Sequence, residues 1–404
     1  MIKKISSILL VLSCSFTFFS LQARVIEIRQ RSSLNPTIAP CRIKGDDRLT
    51  AEINRFLLFC GWFDQPRQNK NADYQITAAK NGDKVDLYLL RGENRIAGWR
   101  FNTARGPRET AKTIVDTIIE HVFKQLKVRG FCHSRIAFGA QTAPGVRNIY
   151  LCDIDGGNMV PLTNYRTLNV EPCWNPDGKT VFFSKYGNSG ISVVETTVKK
   201  PQRSRIISAF RGINTGAAVS PDGKSLAVIL SPDHQVDLYV LGLDRQRKTR
   251  LTRGIAVEAS PCWSPDGKKI AFVSDRNGNP RIFTVNADGS NLTLLPKVAN
   301  GVDAVTPAWS DDGKIAYATR IRGSANYALA VYDPDDQSNK IVTRGGGSWE
   351  SPGWAADNRQ VICKRTLNGK SSLWIVDTLT GRERELLRTG TELFDPAWSP
   401  CIKR

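Results

Sequence analysis

A tight turn that opens an apolar strand recurs through most of this chain, and its spacing leaves few folds available. The clearest copy is Ser264-Pro265-Asp266-Gly267-Lys268-Lys269-Ile270-Ala271-Phe272-Val273-Ser274. Others are Asn175-Pro176-Asp177-Gly178-Lys179, Ser220-Pro221-Asp222-Gly223-Lys224 and Ser310-Asp311-Asp312-Gly313-Lys314, with a weaker one at Ala355-Ala356-Asp357-Asn358-Arg359. A large apolar residue precedes each turn, at 174, 219, 263, 309, 354 and, just before the chain ends, 398. The steps between these anchors are 45, 44, 46, 45 and 44 residues. A near-constant period of this size, with strand and turn signals inside it, indicates a β-propeller.

Each unit explains itself physically. Glycine after Asp takes the positive-φ position of a hairpin turn, where Asn358 is the next best residue. Trp or Val at the anchor fills the space between neighbouring sheets. β-Branched, aromatic and small residues follow, as in Leu226-Ala227-Val228-Ile229 and Ile315-Ala316-Tyr317-Ala318. Two further strands complete a four-stranded blade. Ser134-Arg135-Ile136-Ala137-Phe138 begins a blade with no such turn before it, and Pro396-Ala397-Trp398-Ser399 is an inner strand with no blade after it. These ends are expected to combine, giving six blades and a propeller closed by the C-terminal strand.

The fold class expected is therefore multidomain, α+β and all-β. Residues 1–23 read as a signal peptide: Lys3-Lys4, an uncharged apolar run from Ile5 to Leu21, and Leu21-Gln22-Ala23 as the cleavage site. No later stretch is long and apolar enough for stable membrane insertion. Residues 24–128 read as an N-terminal α+β domain. Ser32 to Pro40 carries two prolines and reads as extended and mobile. Asp46/Asp47 cap a helix from Arg48 to Phe59 whose apolar face is Leu49, Ile53, Phe56 and Leu57. Three strands with Gly-containing turns follow, and Pro107 opens a second helix to about Lys127. Residues 129–404 are the propeller.

Catalytic signals are poor. The three histidines, His121, His133 and His234, lie apart, and there is no GxSxG, phosphate loop or HExxH. Asp153-Ile154-Asp155-Gly156-Gly157-Asn158 lacks the Glu of a calcium loop and reads as a turn. The sequence calls for no cofactor, no metal and no enzyme. Nine cysteines show no CxxC spacing; Cys173 and Cys262 stand where other units have Ala or Gly, as small buried fillers, and a Cys41–Cys60 disulfide stays open. The net charge of +19 attracts acidic partners, but no helix or aromatic sheet concentrates the basic residues for nucleic acid. The densest basic run, Lys199-Lys200-Pro201-Gln202-Arg203-Ser204-Arg205, reads as an exposed hairpin loop. Glu171, Glu258, Asp303, Glu350 and Asp395 stand three to six residues before their anchors, where loops converge on one mouth of a propeller channel. They are candidates for a partner-binding ring or a cation site.

The combination resembles the TolB family, the periplasmic propeller of the Tol–Pal system. The leader, an α+β domain of this size, the entry Ser134-Arg135-Ile136-Ala137-Phe138, the blade from Pro261 to Gly289 and the ending Asp395-Pro396-Ala397-Trp398-Ser399-Pro400 carry the resemblance. It implies a non-enzymatic periplasmic adaptor, monomeric outside its complex, that supports outer-membrane integrity and invagination at division. It implies a Pal-like lipoprotein bound on the propeller, for which the five acidic residues are the candidates. It implies a TolA-like inner-membrane protein bound by the mature N-terminus, here Arg24, Val25, Ile26, Glu27, Ile28 and Arg29. The alternative is a propeller that binds a small ligand or metal, or gates a separate hydrolase.

Overall fold

The computed structural model describes residues 35–66, 72–244, 247–298 and 300–400. The signal peptide and the arm Arg24–Arg29 lie outside the described residues. Asn35–Arg404 form one compact unit. Helix α1, Asp47–Phe59, starts where Asp46 Oδ1 accepts from the Leu49 N–H at 2.9 Å. Its buried face is Leu49, Ile53, Phe56 and Leu57, and Gly61 at φ +70° turns the chain away. Helix α2, Pro107–Val122, buries Ala111, Ile114, Val115 and Ile118. It ends short of Lys127, and Leu126 is exposed. The strands Gln75–Asn81, Lys84–Arg91 and Asn94–Asn102 form the expected meander, and Ile43–Lys44 adds a parallel fourth strand. Asn35–Pro40 is not a mobile stretch. Thr37 and Ile38 bridge to Asp64 and Tyr74, and Asn35, Ile38 and Ala39 are buried.

Six four-stranded units follow. Blade 1 runs Leu393–Trp398, Arg135–Ala143, Val146–Asp153, Val160–Pro161; blade 2 runs Leu168–Trp174, Thr180–Gly187, Gly190–Thr197, Lys200–Ser208. Blades 3 to 6 begin with Asn214–Val219, Glu258–Trp263, Gly301–Trp309 and Ser348–Trp354. The turns behave as their residues require: Gly178, Gly223, Gly267, Gly313 and Asn358 all have positive φ. Asp222 and Asp266 accept from the Ser220 and Ser264 hydroxyls and from the backbone N–H two residues on, which holds both carboxyls below their usual range.

The expectation that the C-terminal strand closes the propeller is corrected by the sheets: among the described residues none is closed. Leu393–Trp398 pairs with Arg135–Ala143, but its other side is the free edge of an open sheet. The inner strands explain why. Each carries a register shift at a positive-φ residue: Glu171, Gly216, Ser260, Thr306, Ser351 or Asp395. A proline follows all of these except Gly216. A bulged strand lacking an N–H cannot extend its ladder to another strand. Among the described residues one ladder bridge joins two blades, Arg147 to Leu168, and it links blades 1 and 2 into one eight-stranded sheet.

Elsewhere neighbouring blades meet through isolated backbone bonds, Glu258 N–H to the Val236 carbonyl at 3.2 Å and Ala304 N–H to the Pro280 carbonyl at 2.9 Å, and through side chains. Trp174 Nε1 donates to the Ala397 carbonyl at 3.1 Å, Trp263 Nε1 to Ala218 at 3.0 Å and Trp354 Nε1 to Ala308 at 2.9 Å, each reaching into the preceding blade. Trp309 instead donates to Gly313 in its own turn. The α+β region shares its core with blades 1 and 6: Leu49, Ile53 and Ile114 belong to one buried cluster with Phe131, Ile136, Ile362, Leu373 and Trp398.

Candidate functional site

The six inner strands line a cavity of about 580 Å³ that runs from the bulges past the Trp anchors to the turns. Its wall is Pro172, Cys173 and Trp174 and their counterparts in the other blades, except that blade 3 contributes Gly216, Ala217 and Ala218 and not Val219; Arg129 also lines it. Of the five acidic candidates, the structure brings two to this cavity, Glu171 and Asp395. Both occupy bulge positions and tie adjacent blades together. Glu171 Oε2 accepts from Ser184 Oγ at 2.9 Å, Thr215 Oγ1 at 2.6 Å and the Gly216 N–H at 3.0 Å. Asp395 Oδ1 accepts from Ser351 Oγ at 3.1 Å. Burial pushes the Asp395 carboxyl up, and the nearby Glu171 charge pushes it further.

The other three do not line the cavity. They sit before their bulges, and each meets a cation of its own blade, two on the second strand and one in the turn that follows it. Asp303 and Glu350 lie directly opposite Arg320 and Lys364 in the ladder, both at 2.7 Å. Glu258 is opposite Ser274 and pairs with Arg276, two residues on, also at 2.7 Å. Glu258 and Asp303 are buried, while Glu350 is partly open. Burial raises the Glu258 carboxyl, against the pull of Ser274 and Arg276. The entry end of the inner strands thus carries three carboxylate–cation pairs, not bare carboxylates. Sequence reading missed the cations because cross-strand pairing depends on a register that the bulges shift.

A second feature was read only as a turn. Asp153 and Asp155 in blade 1 are buried against the helices. Arg108 Nη2 reaches Asp153 Oδ2 at 2.9 Å and Asp155 Oδ1 at 2.6 Å, and its Nη1 reaches Glu52 at 3.0 Å. Lys112 joins Asp153 at 2.9 Å and Arg55 joins Asp155 at 2.6 Å. On the blade 6 side, Trp62 Nε1 donates to Asp357 at 2.9 Å, Arg359 Nη2 to Asn35 at 2.6 Å and Arg382 Nη1 to Asp64 at 2.7 Å. The α+β region is therefore fixed to the turn end of blades 1 and 6, leaving the entry end free of these contacts.

Among the described residues no group of three or more His, Cys, Asp and Glu is placed to hold a metal ion. Cys41 and Cys60 form no disulfide, and burial raises both thiols, Cys41 to about 12 and Cys60 to about 11. His133 Nδ1 lies 2.8 Å from Asp116 in a structural contact beside α2.

The profile of the TolB beta propeller domain matches residues 123–402. A protein TolB homolog of Chlorobium luteolum is 29% identical over 291 residues, which cover 70% of this chain and 64% of that protein. A Tol-Pal system protein TolB of Helicobacter pylori is 30% identical over 149 residues, 37% of this chain and 36% of that one. The matched stretch thus spans less than two thirds of either relative. The crystal structure of TolB from Acinetobacter baumannii has the same fold, with a TM-score of 0.80 at 23% identity, covering 91% of this chain and 97% of that one.

Proposed function

The chain belongs to the TolB β-propeller family, and from that premise we propose that it is an adaptor of a Tol–Pal system. It is a periplasmic, non-enzymatic scaffold. It joins a Pal-like peptidoglycan-associated lipoprotein to a TolA-like inner-membrane protein and so supports outer-membrane integrity and constriction. The observation that carries this reading is the family match across residues 123–402, which takes in the whole described propeller.

The entry end of the propeller is the surface we assign to the lipoprotein. Glu350 with Lys364, and the partly exposed guanidiniums of Arg276 and Arg320 beside Glu258 and Asp303, offer alternating charges there. Such a pattern favours one orientation of a partner and repels others. Glu171 and Asp395, lower in the channel, would meet only a segment that inserts. The arm Arg24–Arg29 is assigned to the TolA-like protein.

Cross-linking in intact envelopes, followed by purification of the tagged full chain, tests the proposal. Peptides of both partners should be recovered, and deletion of Arg24–Arg29 should remove the TolA-like protein alone. Recovery of neither partner would overturn the reading.

A further inference from the structure

The inner strand of blade 1 runs out where other blades turn. In blade 4, Ser264 N–H donates to the Lys269 carbonyl at 2.9 Å, and the chain turns through Pro265, Asp266 and Gly267 into the second strand. In blade 1, Ser399 N–H donates to the Arg135 carbonyl at 2.8 Å, so the place of the second strand is already held by Arg135–Ala143. The side toward the α+β region is filled as well: Trp398 Nε1 donates to Ser134 Oγ at 2.7 Å, and the Phe131 ring lies 6.0 Å from the Trp398 ring. Pro400 lines the channel cavity, and Cys401–Arg404, which follow it, lie outside the described residues. The charge of the wall is unlike that of the chain. One cation, Arg129, lines the cavity against three carboxylates, Glu171, Asp311 and Asp395, in a protein of net charge +19. Arg129 stands 4.0 Å from Asp311, while among the described residues Glu171 and Asp395 have no cation within ion-pair distance.

We propose that the tail Cys401-Ile402-Lys403-Arg404 folds back into the channel and fills the space that an inserted partner segment would take. Pro400 favours the second position of a reverse turn, which sends Ile402 back beside Ser399. From Ser399 to Asp395 the strand spans about 13 Å. Two extended residues after the turn cover about 7 Å, and an Arg side chain adds about as much again, so Arg404 reaches the two carboxylates. Lys403, nearer the mouth, meets Asp311. Ile402 packs on the tryptophan and proline wall, where an apolar side chain leaves water. The tail carries two cations and no acidic side chain, the complement of the wall. A partner segment that enters from the other end has to displace it, which makes the tail an autoinhibitory contact. The inference concerns the chain alone and stands whether or not the entry end docks a lipoprotein.

The test uses the full chain. Acetylation of its amines, read residue by residue by mass spectrometry, should modify Lys403 at least about fivefold more slowly than Lys179, which is exposed in the blade 2 turn. Glu171→Gln combined with Asp395→Asn should bring Lys403 to within about twofold of Lys179, because the charges that hold the tail are gone. The glutamine oxygen still accepts from Ser184 and Thr215, and a melting curve checks that the ring is intact. Arg404→Glu, which touches no described contact, should release Lys403 in the same way. A chain stopped after Pro400 should show stronger acrylamide quenching of tryptophan fluorescence, because Trp174, Trp263, Trp309, Trp354 and Trp398 line the emptied cavity. Equal acetylation of Lys403 and Lys179 in the parent would put the tail in solvent. Slow acetylation that persists in both variants would put it on another surface. Unchanged quenching after truncation would mean that the tail leaves the channel open. Each of these results overturns the proposal.

Discussion

Replacing Arg108 with Met should loosen the α+β region from the propeller. Arg108 donates to Asp153 through Nε at 3.0 Å and Nη2 at 2.9 Å, and to Asp155 through Nη2 at 2.6 Å. The Asp155 side chain is fully buried and that of Asp153 nearly so. Stripping one partner from a buried ion pair costs about 3–5 kcal/mol when nothing replaces it. Here Lys112 and Arg55 remain, so the lower end applies, about 3 kcal/mol. A domain of 150–250 residues loses roughly 2–4 °C in Tm per kcal/mol, and this longer chain should lose about 6 °C or somewhat less. Hydrogen exchange should locate the effect, with protection falling in α1 and in the Asp153–Gly157 turn before it falls in blades 3 to 5. An unchanged Tm and unchanged exchange in the variant would refute the argument.

Three further outcomes are expected. Asp395→Asn should stabilise the chain at neutral pH: a carboxyl whose folded pKa is raised penalises the fold when ionised, and that penalty disappears as pH falls through the folded value to the unfolded one of about 3.9, so urea midpoints of parent and variant should converge in acid. Asp155 has the opposite sign: burial raises its pKa, but the Arg108 and Gly157 hydrogen bonds and the Arg55 charge outweigh this, so its stabilisation is complete above about 3.9 and is lost below that, measurable as a shrinking gap between parent and Asp155→Asn. Trp263→Phe keeps most of the packing but leaves the Ala218 carbonyl without its indole donor, which should cost about 1 kcal/mol in chemical denaturation.

Much of the blade architecture is legible in the sequence because its signals are local. A Gly or Asn after Asp specifies the turn within four residues, and the Trp anchors announce the spacing without any knowledge of contacts. α1 was readable for the same reason: Asp46, the four apolar positions and Gly61 lie within one short stretch. What stayed hidden depends on partners far along the chain. Asp153 and Asp155 look like turn residues until Arg55, Arg108 and Lys112 arrive from the helices. Glu258, Asp303 and Glu350 look like an acidic ring until the bulged register sets Arg276, Arg320 and Lys364 beside them. Pro36 and Pro40 suggest a free segment, yet parallel bridges to Asp64 and Tyr74 bury it. Closure by the C-terminal strand was inferred from a missing inner strand; that strand is present, but proline and the bulge at Asp395 leave it as an open edge.

The most direct test is a calorimetric titration of the full chain with the purified periplasmic domain of a Pal-like lipoprotein from the same cell. One-to-one binding is expected. Glu350→Ala should weaken it about tenfold, as loss of one member of an interfacial charge pair does. Glu195→Ala, on the outer part of blade 2, should leave it unchanged. Absence of binding would contradict the adaptor account, and equal affinity of the parent and Glu350→Ala would remove the entry end of the propeller as the docking surface.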